Sequence, residues 1–180
     1  MKVIYVDDKD SEIGSGSISD AVENGIAVRI VRTLLISSQD ELLIQKRSAS
    51  VFIDPNKWDH SSAGHVDEGE TYKEAAHREL EEEMGIRNVD LIRITNYYNE
   101  HPEKTGLVKK AFVTMYIGEY DGAVSIDHDE VSDYRWISLD DLKEEISSHP
   151  DKFTNSLKSA LDVYQKMGID LTAKSSQAKA

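Results

Sequence analysis

Gly64-His65-Val66-Asp67-Glu68-Gly69-Glu70-Thr71-Tyr72-Lys73-Glu74-Ala75-Ala76-His77-Arg78-Glu79-Leu80-Glu81-Glu82-Glu83-Met84-Gly85-Ile86 is the most regularly patterned stretch of the chain. Thr71 followed three residues later by Glu74 is a capping-box signature, in which each side chain satisfies a backbone N–H that the first helical turn leaves unpaired. Gly85 suits the left-handed position just past a helix end. The spacing therefore predicts a helix near Tyr72–Met84. On it Glu79, Glu82 and Glu83 stand at i, i+3 and i+4, within one arc of about 100°. Ala76, Leu80 and Met84 line the adjoining face at the same spacing, so the apolar side can seat the helix on a sheet and hold the carboxylates in fixed positions.

Like charges at these spacings repel one another, and a divalent cation removes that cost. Clustered oxygen ligands favour a hard ion, with Mg²⁺ the first choice and Mn²⁺ a substitute. The plain alternative is a solvated acidic face with no ligand.

Working outward, two β-rich runs, Ile26–Ile36 and Glu41–Lys46, are separated by Ser37-Ser38-Gln39-Asp40, which has hairpin chemistry. Further strands are expected at Val89–Thr95, Lys109–Gly118 and Tyr134–Ile137, the last leading into a helix with Ser138 at its N-cap. A final helix over about Asn155–Met167 places Leu157, Ala160, Leu161 and Tyr164 on one face and ends at Gly168. Gly14-Ser15-Gly16-Ser17 reads as a loop after a short first strand around Val3–Val6, and residues 48–63 read as a long loop carrying Trp58. Strands alternating with three helices argue for one α/β domain. The expected division is a peripheral segment 1–24, the domain proper 25–168 and a polar tail 169–180.

With 180 residues, 39% hydrophobic and 31% charged, the composition is globular. The chain has 0 cysteines, which excludes disulfides and thiolate chemistry. A formal charge of −13 repels nucleic-acid backbones and anionic membranes, so neither duplex nucleic acid nor a membrane is an expected partner. The first residues turn acidic before an apolar run of signal-peptide length develops, and the reading is a cytoplasmic protein. The same charge repels a small phosphorylated substrate unless cations or a local basic patch receive it. Lys46 and Arg47, at the end of a strand near the long loop, are candidates for that patch, an ordinary strand end being the alternative. Trp58 is a candidate for stacking on a substrate base, or else a packing anchor.

Gly64, Glu70, Arg78, Glu79, Leu80, Glu82, Glu83, Gly85 and Ile86 together resemble the Nudix box at each of its defining positions. The resemblance implies an α/β/α sandwich with a mixed sheet, and Mg²⁺-dependent hydrolysis of a nucleoside diphosphate linked to another moiety or of a related small phosphorylated metabolite. It implies that Glu79, Glu82 and Glu83 supply metal ligands and the Gly64 carbonyl a further one, while Glu70 and Arg78 brace the loop–helix junction. Glu130, in Asp127-His128-Asp129-Glu130-Val131, resembles the loop glutamate that many members place over the metal, as an additional metal ligand or as the base that deprotonates water, with Asp129 and Glu119 as fallbacks. His65 reads as a loop hydrogen-bonder rather than a ligand.

Leu42-Leu43-Ile44-Gln45-Lys46-Arg47-Ser48, Pro55, Trp58-Asp59 and Gly64-His65-Val66 extend the resemblance towards the branch related to isopentenyl diphosphate isomerase. That isomerase uses a cysteine in the loop before the helix, where this chain has Ser61-Ser62-Ala63. Hydrolysis is therefore preferred to isomerisation, and a non-catalytic nucleotide-binding module is the other alternative. The expected partners are a small phosphorylated substrate and, as an oligomeric option, a second copy in a homodimer.

Overall fold

The structure is a computed structural model that describes residues 2–102 and 106–166. Its centre is β3 (Ala27–Ile36), which pairs in parallel along its whole length with β8 (Val108–Glu119). β8 pairs on its other side with β7 (Ile92–Pro102), antiparallel. One parallel ladder among antiparallel ones makes the sheet mixed.

The other edge of β3 is shared by three partners. β1 (Val3–Val6) pairs with its first residues, β6 (Ser62–His65) with Ile30–Thr33, and β4 (Glu41–Arg47) only with Leu35 and Ile36. Beyond that short contact β3 and β4 part company. β5 (Trp58–Asp59) takes the freed edge of β4, opposite Gln45 and Lys46, while β9 (Val131–Ser138) pairs along the far edge. Ser61 pins the point of divergence, donating to the Leu43 carbonyl at 2.7 Å and accepting from the Leu35 N–H at 2.8 Å. A wedge thus opens in the sheet with β6 as its inner wall.

Helices cover both faces. α2 (Tyr72–Met84) buries Ala75, Ala76, Leu80 and Met84 against Val31, Leu35 and Leu43. On the opposite face Ala21 of α1 (Ile18–Glu23), Leu142 of α3 (Leu139–Ser148) and Leu157, Ala160 and Tyr164 of α4 (Asn155–Lys166) pack with Val28, Leu34, Leu42, Ile44 and Met115. This is the expected α/β/α sandwich. The strand alternation that sends Leu43 to one core and Leu42 and Ile44 to the other makes both faces apolar.

Three expectations need correction. Residues 1–24 are not peripheral: Val3, Ile4 and Val6 are buried, Val3 in one core and Ile4 and Val6 in the other. The expected loop at Gly14–Ser17 is mostly strand, because β2 (Glu12–Gly16) pairs with β1, and Ser17 instead caps α1. Residues 48–63 contain β5 and the start of β6, whose strand state comes from pairing with β4 and β3 rather than from any apolar pattern. For the same reason β7 begins at Ile92 and continues through the polar Asn99-Glu100-His101, held by its ladder with β8. α2 and the N-cap role of Ser138 match expectation. The expected end of the last helix at Gly168 and the tail 169–180 lie outside the described residues.

Candidate active site

The capping box at Thr71 and Glu74 forms reciprocally, and Gly85 closes α2 at φ 65° with its N–H on the Glu81 carbonyl. Both ends of α2 are thus fixed by local hydrogen bonds, and its underside is fixed by the core. Glu79 and Glu83 face inward: they are 8% and 3% exposed, whereas Glu82 stands in solvent.

The Glu83 carboxylate sits at the inner wall of the wedge. It accepts from the Gln45 side-chain amide of β4 at 2.7 Å and from the Ala63 N–H of β6 at 3.2 Å. It therefore links the two strands where no backbone ladder joins them. The Glu79 carboxylate lies against Gly64, at a place where a Cβ on that residue would overlap it.

Successive residues of a strand turn their backbone groups to opposite edges. Val66 donates to Arg29 of β3, and in the same ladder Gly64 stands opposite Val31, so the polar backbone groups of Gly64 face β3. Those of Ala63 and His65 face the free edge, where Ala63 N–H meets Glu83 and the His65 carbonyl accepts from Arg78 at 2.9 Å. The carbonyl turned towards the carboxylates is thus that of Ala63, not the expected one of Gly64. Gly64 contributes by lacking a side chain.

Arg78 ties the assembly together. Its guanidinium donates to Glu70 at 2.7 and 3.0 Å, to Glu79 at 2.8 Å and to Glu82 at 2.9 Å. Glu70 also accepts from the Asp67 N–H at 3.1 Å, so the Gly64–Glu70 turn and the helix are joined through one cation. Burial pushes the Glu79 carboxyl up to about 7 against the opposing pull of Arg78, with Glu82 and Glu130 adding to the rise. Burial drives Glu83 well above the ordinary carboxylate range too, reinforced by Glu79 and Glu130 and opposed by the Gln45 and Ala63 hydrogen bonds.

Glu130 is exposed, yet its charge acts on both Glu79 and Glu83, so it borders the same site. Its loop is fastened to the segment after β4: Ser48 N–H donates to the Glu130 carbonyl at 2.8 Å and Ser50 Oγ to the Asp129 carbonyl at 2.8 Å. No hydrogen bond or ion pair joins Lys46, Arg47 or Trp58 to the carboxylates of α2 among the described residues. Arg47 is occupied with the Ile53 carbonyl at 2.9 Å and with Asp59 at 3.8 Å. Lys46 stands opposite Trp58, and Trp58 packs on the core beneath α4 with the Arg135 guanidinium 4.4 Å over its ring. The tryptophan acts as a packing anchor on the face away from α2. Gln45 and Ala63 were missed; a lone amide after Leu42-Leu43-Ile44 was a usable signal for the first, while the second offers only a backbone group.

Among the described residues no three acidic or histidine side chains converge closely enough to grip an ion by themselves. The donor chemistry nevertheless fits a hard cation. Two buried carboxylates press against each other's charge, Glu82 lies on the same arc, and the Ala63 carbonyl faces them, all oxygen donors. Arg78 already supplies positive charge between Glu79 and Glu82.

The family model described as NUDIX domain matches residues 27–157. An isopentenyl-diphosphate Delta-isomerase of Photorhabdus laumondii is 32% identical over 84% of this chain and 85% of its own length. A Pseudomonas aeruginosa protein named as an uncharacterized Nudix hydrolase is 30% identical over 82% of this chain and 85% of its own. A crystal structure of a Deinococcus radiodurans protein superimposes with a TM-score of 0.75 at 24% identity, covering 91% of this chain and 98% of that one. No described helix is long and apolar enough to cross a membrane.

Proposed function

The chain belongs to the NUDIX domain family, and from that premise we propose that it hydrolyses the diphosphate linkage of a small phosphorylated metabolite, such as a nucleoside diphosphate joined to another moiety, with Mg²⁺ or Mn²⁺ as cofactor. The observation that carries this reading is the pair of buried carboxylates, Glu79 and Glu83, held against Gly64 and Ala63 of β6, where burial raises both above the ordinary carboxylate range. A fold gains no stability from two such groups unless positive charge offsets both, and among the described residues Arg78 pairs with Glu79 but not with Glu83.

Glu79, Glu82, Glu83 and the Ala63 carbonyl would hold the ion, with Mn²⁺ substituting for Mg²⁺. When bound, it neutralises phosphate oxygens and acidifies a water. The residues of the chain do the rest. Arg78 keeps Glu70, Glu79 and Glu82 in one constellation, so the helix cannot turn away from β6. Gln45 and the Ala63 N–H orient Glu83. Glu130, the exposed carboxylate at the border, accepts the proton as water oxygen bonds to phosphorus and the bridging P–O bond breaks, the leaving phosphate departing with the electron pair. No covalent enzyme intermediate is required.

Isomerisation of an isoprenoid diphosphate is the second reading, favoured by the name of the Photorhabdus relative. Against it, the chain has 0 cysteines and Ser61 is committed to Leu43 and Leu35. A panel of nucleotide sugars, dinucleotides, nucleoside di- and triphosphates and isoprenoid diphosphates, assayed with Mg²⁺ for released phosphate and for product structure, separates the readings. At least one substrate should be cleaved, with Glu83→Gln or Glu79→Gln lowering the rate roughly a hundredfold or more. Near-wild-type turnover in both variants, or an isomer as the only product, rejects the hydrolase.

A further inference from the structure

The face of β3 and β6 under α2 carries polar atoms that the proposed chemistry does not use. Val31 and Leu35 pack against the helix, so Thr33 between them turns its side chain to the same side. Thr33 and Ser62 are register partners, and directly opposed residues of two strands share a face, so both hydroxyls lie under α2. Gly64, two residues on, meets the Glu79 carboxylate, and Glu83, one helical turn further along α2, accepts from the Ala63 N–H. Gln45 joins them from β4. Its N–H donates to the His60 carbonyl at 3.3 Å while the Ser61 N–H donates to the Thr33 carbonyl at 2.9 Å, so the short segment before Ser62 is stitched to both diverging strands. The Gln45 side-chain amide and the Ala63 N–H then converge on the same oxygen of Glu83, which brings the end of the Gln45 side chain beside the backbone nitrogen that follows Ser62.

Thr33, Ser62 and Gln45 are 0%, 1% and 1% exposed. Thr33 Oγ1, Ser62 Oγ and Gln45 Oε1 nevertheless have no hydrogen-bond partner among the described residues. Buried polar atoms are nearly all paired in folded proteins, and each one left alone costs its desolvation. Turning the Gln45 amide over does not help, because its nitrogen must meet the Glu83 carboxylate; the oxygen is left needing a donor. Two hydroxyls out of reach of each other and a carbonyl oxygen without a donor are joined by a single water, which accepts from the first two and donates to the third. A cation in the same place would face three oxygens and leave both hydroxyl hydrogens without an acceptor.

We propose that Thr33, Ser62 and Gln45 enclose one buried water, and that through it Thr33 and Ser62 are positioning residues for Glu83. The water takes a hydrogen bond from each hydroxyl and gives one to Gln45 Oε1, and the amide so fixed holds the Glu83 carboxylate at the edge of β6. Neither hydroxyl touches substrate or ion. The consequence for ion binding rests on the hydrolase reading; the water itself does not.

The first arm of the test needs neither metal nor turnover. A high-resolution crystal structure of the metal-free protein should show one water within hydrogen-bonding distance of all three oxygens, and Thr33→Val, which keeps the side-chain shape, should lose it. No water there, a water retained in Thr33→Val, or direct hydrogen bonds among the three side chains overturns the site. The second arm is Mn²⁺ binding without substrate, read by electron paramagnetic resonance of the free ion. Loss of a hydrogen bond behind a metal ligand commonly weakens the metal by ten- to a hundredfold, so Thr33→Val and Ser62→Ala should each raise the Kd roughly tenfold or more. Thr33→Ser, which keeps the hydroxyl, should restore it. Because both residues act through one water, the Thr33→Val/Ser62→Ala protein should match the single variants, whereas independent packing effects would multiply. Multiplied effects, or wild-type affinity in both single variants, overturn the positioning role, and unaltered far-UV circular dichroism checks that each variant folds. If the wild type binds no Mn²⁺, the metal-dependent hydrolase reading fails and the crystal structures alone decide the water.

Discussion

Glu79 and Glu83 keep their carboxyl groups largely out of water, and their protonation is therefore coupled to folding. Because burial raises both above the ordinary carboxylate value, the folded state binds these protons more tightly than the unfolded chain. Their contribution is fully present below the unfolded value near 4.5 and is lost as pH rises through about 7 for Glu79. In EDTA the wild type should accordingly lose on the order of 3 kcal/mol relative to Glu79→Gln between acid and mildly alkaline pH. Urea unfolding of both proteins from pH 4.5 to 8 reads this as a gap that widens with pH. Parallel profiles would mean that Glu79 is not held in a desolvated place.

At the scale of the element, α2 and β6 form a single device. The helix brings carboxylates down and the strand offers an edge, and contact depends on Gly64 having no side chain. Gly64 has an ordinary extended backbone, so alanine is conformationally tolerated there and the penalty is steric. Gly64→Ala should fold but displace Glu79, lowering turnover at least roughly tenfold, since small misplacements of catalytic groups are costly. Retained activity with normal circular dichroism would show that Glu79 need not touch β6. The capping box, the glycine stop and the carboxylate arc of this device were legible in the sequence because they obey rules spanning three or four residues. For Gln45 the sequence offered only a lone amide after an apolar run, and its partner was not legible, because its meeting with Glu83 joins positions 38 residues apart.

At the scale of the whole molecule, the first strand is structural. Ile4 is 1% exposed in the core under α2, and its N–H bonds to the Val66 carbonyl just after β6. Ile4→Ala should cost about 2–4 kcal/mol, read as a lower urea midpoint with unchanged slope. A cost below about 0.5 kcal/mol, the range of surface substitutions, would restore the view of this segment as peripheral. The polar run from Asp7 to Ser17 hid the role of the strand before it. β1 is held by partners at Val28 and Val66 that no local pattern announces.

The sequence by itself determined the helix at Tyr72–Met84, its two caps and the arc of Glu79, Glu82 and Glu83. Each depends on hydrogen bonds and side-chain spacings within a few residues, which the order of amino acids states directly, whereas the α/β/α sandwich was legible only through the resemblance to the Nudix box. The tertiary structure alone decided which carboxylates are buried, that the strand turns the Ala63 carbonyl rather than that of Gly64 towards them, and that Trp58 packs beneath α4 while Thr33 and Ser62 share the face under α2. These follow from strand register and from the divergence of β3 and β4, where a shift of one residue reverses every side chain and backbone group. Register is fixed by contacts distant in sequence, so it becomes visible only once the chain is folded.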